Sequence, residues 1–216
     1  MKSKETVLDF YLNSDSQHLL KEARRNAGPL RLAGARWLTE GMRTIMTDKQ
    51  KMQTVLEEAD SNWRKHPEPL RPENAELLRQ WGVSAEVQQF LAEFSFDTDL
   101  AIGEVHLDQA NSLKKRLDWE DDFQRALQAG LLLVGAGSTG DPLALDIEDS
   151  QVGYLFHDYF WEEEAEDPRK FFIKLNCSLG QFFWNTQFVE DYPIDAYGAA
   201  EYTGAGFTGD RSPDEA

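Results

Sequence analysis

The chain has 216 residues, 41% hydrophobic and 12% aromatic, with 22 basic and 39 acidic side chains and a net charge of −17. This length and apolar content support one sizeable folded core, and no apolar run nears the roughly 20 residues that cross a bilayer. The charge is lopsided: residues 1–116 carry 17 basic and 18 acidic residues, residues 117–216 carry 5 and 21, a field that repels nucleic acid and draws in basic partners.

The chain opens with helical spacing. Val7, Leu8, Tyr11 and Leu12 share one face, and Leu19, Leu20 and Ala23 continue until Gly28-Pro29. Ala33, Trp37, Leu38, Met42 and Ile45 keep the same period. Thr47-Asp48-Lys49-Gln50 has the form of a capping box, starting a helix with Met52, Val55, Leu56, Ala59 and Trp63 on one side. His66-Pro67-Glu68-Pro69 stops it, and Pro72 follows. Residues 1–66 are therefore expected to be a helical extension packed on a domain of residues 70–190.

Within that domain Pro72 opens a helix with Leu77, Leu78 and Trp81 on its apolar side, ended by Gly82. Ser84 caps the next, where Val87, Phe90, Leu91 and Phe94 fall at i, i+3, i+4 and i+7. Leu100, Ile102 and Val105 indicate a strand with a bulge at Gly103. Trp119, Phe123, Ala126 and Leu127 predict one helix before Gly130. The pattern then changes from period 3.6 to period 2. Leu131–Val134 is a continuous apolar run, and Leu143, Leu145 and Ile147 alternate with Ala144 and Asp146 as in a half-buried strand. Beyond a four-residue polar link, Val152, Tyr154 and Phe156 share a face. Strands at 131–135, 143–147 and 152–157 make an antiparallel meander, giving an α+β domain with an antiparallel or mixed sheet packed with helices. From residue 191 onward the composition turns small, glycine-rich and acidic, which predicts a loosely ordered tail.

Gly135-Ala136-Gly137-Ser138-Thr139-Gly140 spells G-x-G-x-x-G after an apolar strand. A dinucleotide site needs a helix next, with its N-terminus facing the pyrophosphate. Here Asp141-Pro142 leads into an alternating run, so the glycines read as a turn.

The strand, the turn ending in Gly140-Asp141, then Leu143-Ala144-Leu145-Asp146-Ile147, the acidic turn, Val152-Gly153-Tyr154 and His157-Asp158 together resemble the core of the SUKH superfamily. Ser84–Phe94 is similar to that family's early helix, and Phe171–Phe183 to its closing strand and aromatic helix. Trp161 and the acids after it stand where the family usually has a shorter loop. The superfamily includes bacterial toxin-immunity proteins and fungal regulators of cell-wall assembly. The resemblance implies a protein that acts by binding another protein, without catalysis.

Motifs for chemistry are sparse. His18, His66 and His106 lack neighbours at metal-ligand spacing, and HExxH, paired CxxC and G-x-S-x-G are absent. Cys177, the single cysteine, cannot form an internal disulfide and reads as a buried structural thiol. With no apolar stretch of signal-peptide length in MKSKETVLDF, it leads to the expectation of a cytoplasmic protein. His157-Asp158 is the one suggestive pair, and Asp141, Asp146 and Asp149 could gather oxygen ligands, although no calcium-loop pattern is present. An enzyme built around Asp141 and His157 is the minority reading.

The main expectation is a partner-binding face comprising Asp141, Asp146, Asp149, Asp158, Trp161, Glu162, Glu163, Glu164 and Glu166. An aromatic anchor beside acidic residues combines a buried contact with electrostatic steering. The partner is expected to be a basic protein, in particular a nuclease-type toxin, with a regulatory scaffold of the cell-wall-assembly kind as the alternative. No catalytic residue, metal, cofactor, nucleic acid or membrane enters this reading.

Overall fold

The computed structural model describes residues 46–58, 68–162 and 166–205. From Thr47 onward the described residues belong to one compact unit. Most of the helical extension, including Trp37, Met42, Ile45 and Trp63, lies outside the described residues, as do Glu163 and Glu164.

Helix α1 (Asp48–Glu58) belongs to this unit. Its capping box forms as the sequence predicts: Thr47 N–H donates to Gln50 Oε1 at 2.9 Å, and Gln50 N–H donates to Thr47 Oγ1 at 3.3 Å. Met52, Val55 and Leu56 are buried. Helices α2 (Pro72–Gln80) and α3 (Ala85–Glu93) follow, with proline in the first turn of α2 and Ser84 Oγ accepting from Val87 N–H at the start of α3.

Six strands then form one antiparallel sheet in sequential order: β1 (Leu100–Ile102), β2 (Val105–Leu107), β3 (Leu131–Ala136), β4 (Pro142–Asp146), β5 (Val152–Leu155) and β6 (Phe172–Lys174). The domain is α+β, and the predicted three-strand meander is the middle of its sheet. Gly103 is a turn, not a bulge. Ile102 pairs with Val105, leaving Gly103-Glu104 as a two-residue loop with Gly103 at φ +60°. The bulge lies instead in β3, between Leu133 and Gly135.

Helices fill the connections. α4 (Leu113–Trp119) and α5 (Asp121–Gln128) replace the single helix expected there, because Glu120 is extended at φ −115°, ψ 106°. The break puts Trp119 in solvent, 80% exposed, while Phe123 and Ala126 face the core. α6 (His157–Glu162) begins where the third strand was expected to end. α7 (Leu179–Phe188) and α8 (Ala196–Thr203) complete the domain. α8 corrects the expected loose tail: Asp195 caps it by accepting from Gly198 N–H at 2.7 Å, Gly204 ends it at φ +67°, and Ala196 and Ala199 are buried.

Both faces of the sheet are covered, which is why β4 is buried at every position and not half-buried as its alternation predicts. Register places Leu132, Leu143, Leu145, Val152, Tyr154 and Ile173 on one face. There Tyr154 meets Phe182 of α7 with ring centroids 5.9 Å apart, and α1 packs on α7. Gly180 makes that approach possible, since a Cβ would stand 2.4 Å from the Asp48 carbonyl. The opposite face carries His106, Leu133, Ala136, Pro142, Ala144, Asp146 and Lys174, and α5 lies across β3.

Candidate functional site

The G-x-G-x-x-G stretch is followed by β4 and not by a helix, so no helix N-terminus is available there for a pyrophosphate. Its glycines instead receive the segment before α8. Ser138 N–H donates to the Ile194 carbonyl at 2.9 Å. A Cβ on Gly137 would stand 2.2 Å from that carbonyl oxygen.

Asp141, at the end of this turn, is 0% exposed. Its Oδ2 accepts from Thr139 Oγ1 at 2.6 Å and from Ala196 N–H at 2.8 Å. Its Oδ1 accepts from His157 N–H at 3.1 Å and lies 2.5 Å from His157 Nδ1. Burial alone would raise this carboxyl, but the donors from Thr139, Ala196 and His157 hold it below the usual carboxylate value. Asp141 therefore ties the glycine turn to the first residues of α6 and α8. It is a structural hub and cannot face a partner, contrary to the sequence expectation.

Asp146 is likewise removed from the face, being 1% exposed. Arg169 grips it through both oxygens at 2.9 and 3.0 Å, Lys174 Nζ approaches to 2.7 Å, and Glu148 N–H donates at 3.1 Å. Burial opposes ionisation, yet Arg169 and Lys174 keep the carboxyl well below the usual range. Asp149 stays at the surface but shares Lys174 at 2.9 Å.

Three members of the predicted face, Asp158, Trp161 and Glu162, lie together on α6. His157 Nε2 lies 2.9 Å from Asp158 Oδ1, and Tyr197 Oη donates to Asp158 Oδ2 at 3.2 Å. Both His157 nitrogens thus face carboxylates, and Trp161 packs on the imidazole at 5.1 Å. Trp161 is 47% exposed and Glu162 is exposed beside it. Glu166 pairs with Lys170 on the following turn.

Trp161 also forms one wall of a groove of about 700 Å³ lying over the β3–β4 face. The floor is Leu133, Ala136 and Pro142, and α5 supplies Phe123. The rim is acidic, from Asp108, Glu120, Asp121 and Asp122, with Arg116 and Arg125 among them. None of these rim residues was singled out from sequence. The available signal was the acidic first turn of α5, legible only once the Glu120 break is known.

A second cleft, of about 590 Å³, runs between α1, α3 and the loops at 149–151 and 176–179. Its wall is organised by Asp48, which accepts from Ser178 Oγ at 2.7 Å and from Gly180 N–H at 3.4 Å and so caps α7 from another helix. Cys177 sits at its edge, half-buried, 3.3 Å from Tyr192 Oη. Neither Asp141 nor His157 lines either cleft. Among the described residues, no three His, Cys, Asp or Glu side chains converge as a metal-ligand set, and no helix is long and apolar enough to cross a membrane.

Searches against protein-family models, curated proteins and solved structures return no match.

Proposed function

We propose that this protein is a binding module without catalysis, which recognises a basic protein surface through the face around α5 and α6. The single observation that carries this reading is Trp161, half-exposed on a short helix, between an apolar-floored groove and unpaired surface acid. A large rigid ring in such a setting is the usual anchor of a protein interface, and the acidic rim excludes like-charged partners while steering basic ones. The resemblance of the β3–β5 meander to the SUKH superfamily supports the same conclusion and adds a partner class, a basic nuclease-type toxin for which the protein would act as an immunity factor in the cytoplasm. The binding face is revised from the sequence expectation: Asp158, Trp161 and Glu162 are retained, Asp121 and Asp122 are added, and Asp141 and Asp146 are withdrawn.

The test is association of the purified protein with the product of the neighbouring reading frame, followed by surface plasmon resonance over a range of salt concentrations. Rapid, salt-sensitive association that is slowed by Glu162→Lys and Asp121→Lys supports the reading. Binding that is indifferent to salt and to both substitutions overturns it.

A further inference from the structure

The groove beside Trp161 repeats one chemical arrangement. Arg116 lies over the ring of Phe123 at 4.6 Å and pairs with Asp108 and with Glu120, the latter at 2.9 Å. Arg125 lies over the ring of Phe160 at 4.3 Å and pairs with Asp122 at 3.2 Å. Each unit is a guanidinium held between an aromatic face and a carboxylate, the geometry that suits arginine better than lysine. Both phenylalanines are buried residues beside the groove.

Trp161 and Asp121 line the same groove. Among the described residues the Trp161 ring has the His157 imidazole against it at 5.1 Å but no arginine or lysine, and none pairs with Asp121. Of the four rim carboxylates, the other three already hold the two arginines of the site. Among the described residues the groove thus offers a further aromatic ring and a further carboxylate without a guanidinium on either. The floor beside it, Leu133, Ala136 and Pro142, is apolar, and a volume of about 700 Å³ holds a few side chains and not a folded domain.

We propose that this groove takes an extended segment of the partner protein that carries an arginine. The guanidinium lies on the Trp161 indole with Asp121 as its counter-ion, and an apolar neighbour of that arginine rests on the floor. This rests on the binding-module reading above and sharpens it from a basic surface to one residue type in one place.

The probes are three blocked pentapeptides that alternate leucine with arginine, lysine or citrulline, titrated into the ¹⁵N-labelled full-length protein at low salt. The Trp161 indole signal is assigned with Trp161→Phe. The arginine peptide is expected to shift the Trp161 indole N–H and the amides of Ala136 and Asp121. It should bind about threefold tighter than the lysine peptide, reflecting stacking as well as charge. The citrulline peptide, which keeps the shape and loses the charge, should produce no saturable shift. Ala136→Leu, which fills the floor at a half-buried strand end, should weaken the arginine peptide without changing the fold. Equal binding of the arginine and lysine peptides, with shifts confined to Asp158, Glu162 and Glu166, overturns the arginine site while leaving an acidic binding face intact. Absence of shifts with both cationic peptides overturns the site and the face together.

Discussion

Replacing Asp141 by asparagine removes one charge and almost no volume, so it isolates what the carboxylate does. Both oxygens act as acceptors, Oδ1 for the His157 backbone N–H and Oδ2 for that of Ala196. In asparagine one of these positions becomes an amide that can only donate. Thr139 can turn its hydroxyl round and His157 can change tautomer, but a backbone N–H cannot adapt. Whichever way the amide is set, a buried donor at the start of α6 or α8 loses its acceptor, at about 1–3 kcal/mol. Losing the charge weakens the surviving bonds as well, so the total expected loss is about 2–4 kcal/mol. In a domain of this size that lowers Tm by on the order of 10 °C. Urea unfolding followed by tryptophan fluorescence measures it. The pH dependence supplies an independent check. The Asp141 carboxyl lies below its usual value when folded, so its stabilisation is fully present above the unfolded value of about 3.9 and fades as pH falls through the folded one. The gap between wild type and Asp141→Asn should narrow in acid. A loss under about 0.5 kcal/mol, within the range of ordinary surface substitutions, would refute the hub assignment, as would a gap that stays constant down to acid pH.

Other perturbations test the remaining joints. Arg169→Ala leaves Asp146 with Lys174 and one backbone donor, costing about 1–3 kcal/mol; adding Lys174→Met strands a buried charge and should bring the loss to about 3–5 kcal/mol in thermal unfolding at neutral pH. Because Asp146 also titrates below its usual value, that deficit should shrink as the pH is lowered below about 4. Gly137→Ala drives a Cβ to 2.2 Å from the Ile194 carbonyl and 2.9 Å from the Tyr154 ring, and should release the segment leading into α8. Hydrogen exchange would then speed up across 194–203 while β3–β5 stay protected; unchanged protection of α8 would count against the contact. Trp161→Ala should speed dissociation of a protein partner, costing on the order of 2 kcal/mol in affinity, with circular dichroism and Tm unchanged.

The sheet was legible because its signals are local. Alternation across Leu143–Ile147 and Val152–Phe156 marks strands whatever lies above them, and the capping box at Thr47 needs only four residues. Burial of β4 on both faces was not legible, since period two is the same whether the second face meets α5 or water. Helix α8 was hidden for a related reason: its core contacts are made by alanines, and Asp195 and Gly204 read as tail composition until the helix between them is known. The split between α4 and α5 turns on the backbone of Glu120, a residue without any breaking tendency of its own, and it alone exposes Trp119 and sets Asp121 and Asp122 at a helix start. The candidate site suffered most. A carboxylate that caps two helices and one that faces a partner are the same letter in a sequence, and Asp141 was separated from Asp158 only by where the donors of Thr139, His157 and Ala196 converge.

The same sorting determines what the acidic half of the chain can do. Residues 117–216 hold five basic side chains. Four of them are engaged within the domain: Arg125 on Asp122, Arg169 on Asp146, Lys170 on Glu166, and Lys174 on Asp146 and Asp149. The fifth, Arg211, lies outside the described residues. Internal pairing therefore draws on almost the whole local supply of cations, and among the described residues it leaves acids such as Asp121 and Glu162 without an ion pair. A field left over in this way acts outward, on whatever approaches the face, and within a Debye length of about 8 Å at physiological salt it is set by the nearest unpaired groups. Glu162 and Asp121 are such groups, whereas Glu166 is already balanced by Lys170. Reversal of Glu162 should then slow association with a basic partner more than reversal of Glu166, although the two stand four residues apart. Equal effects would mean that the partner senses net charge alone, and that the geometry around Trp161 contributes nothing to recognition.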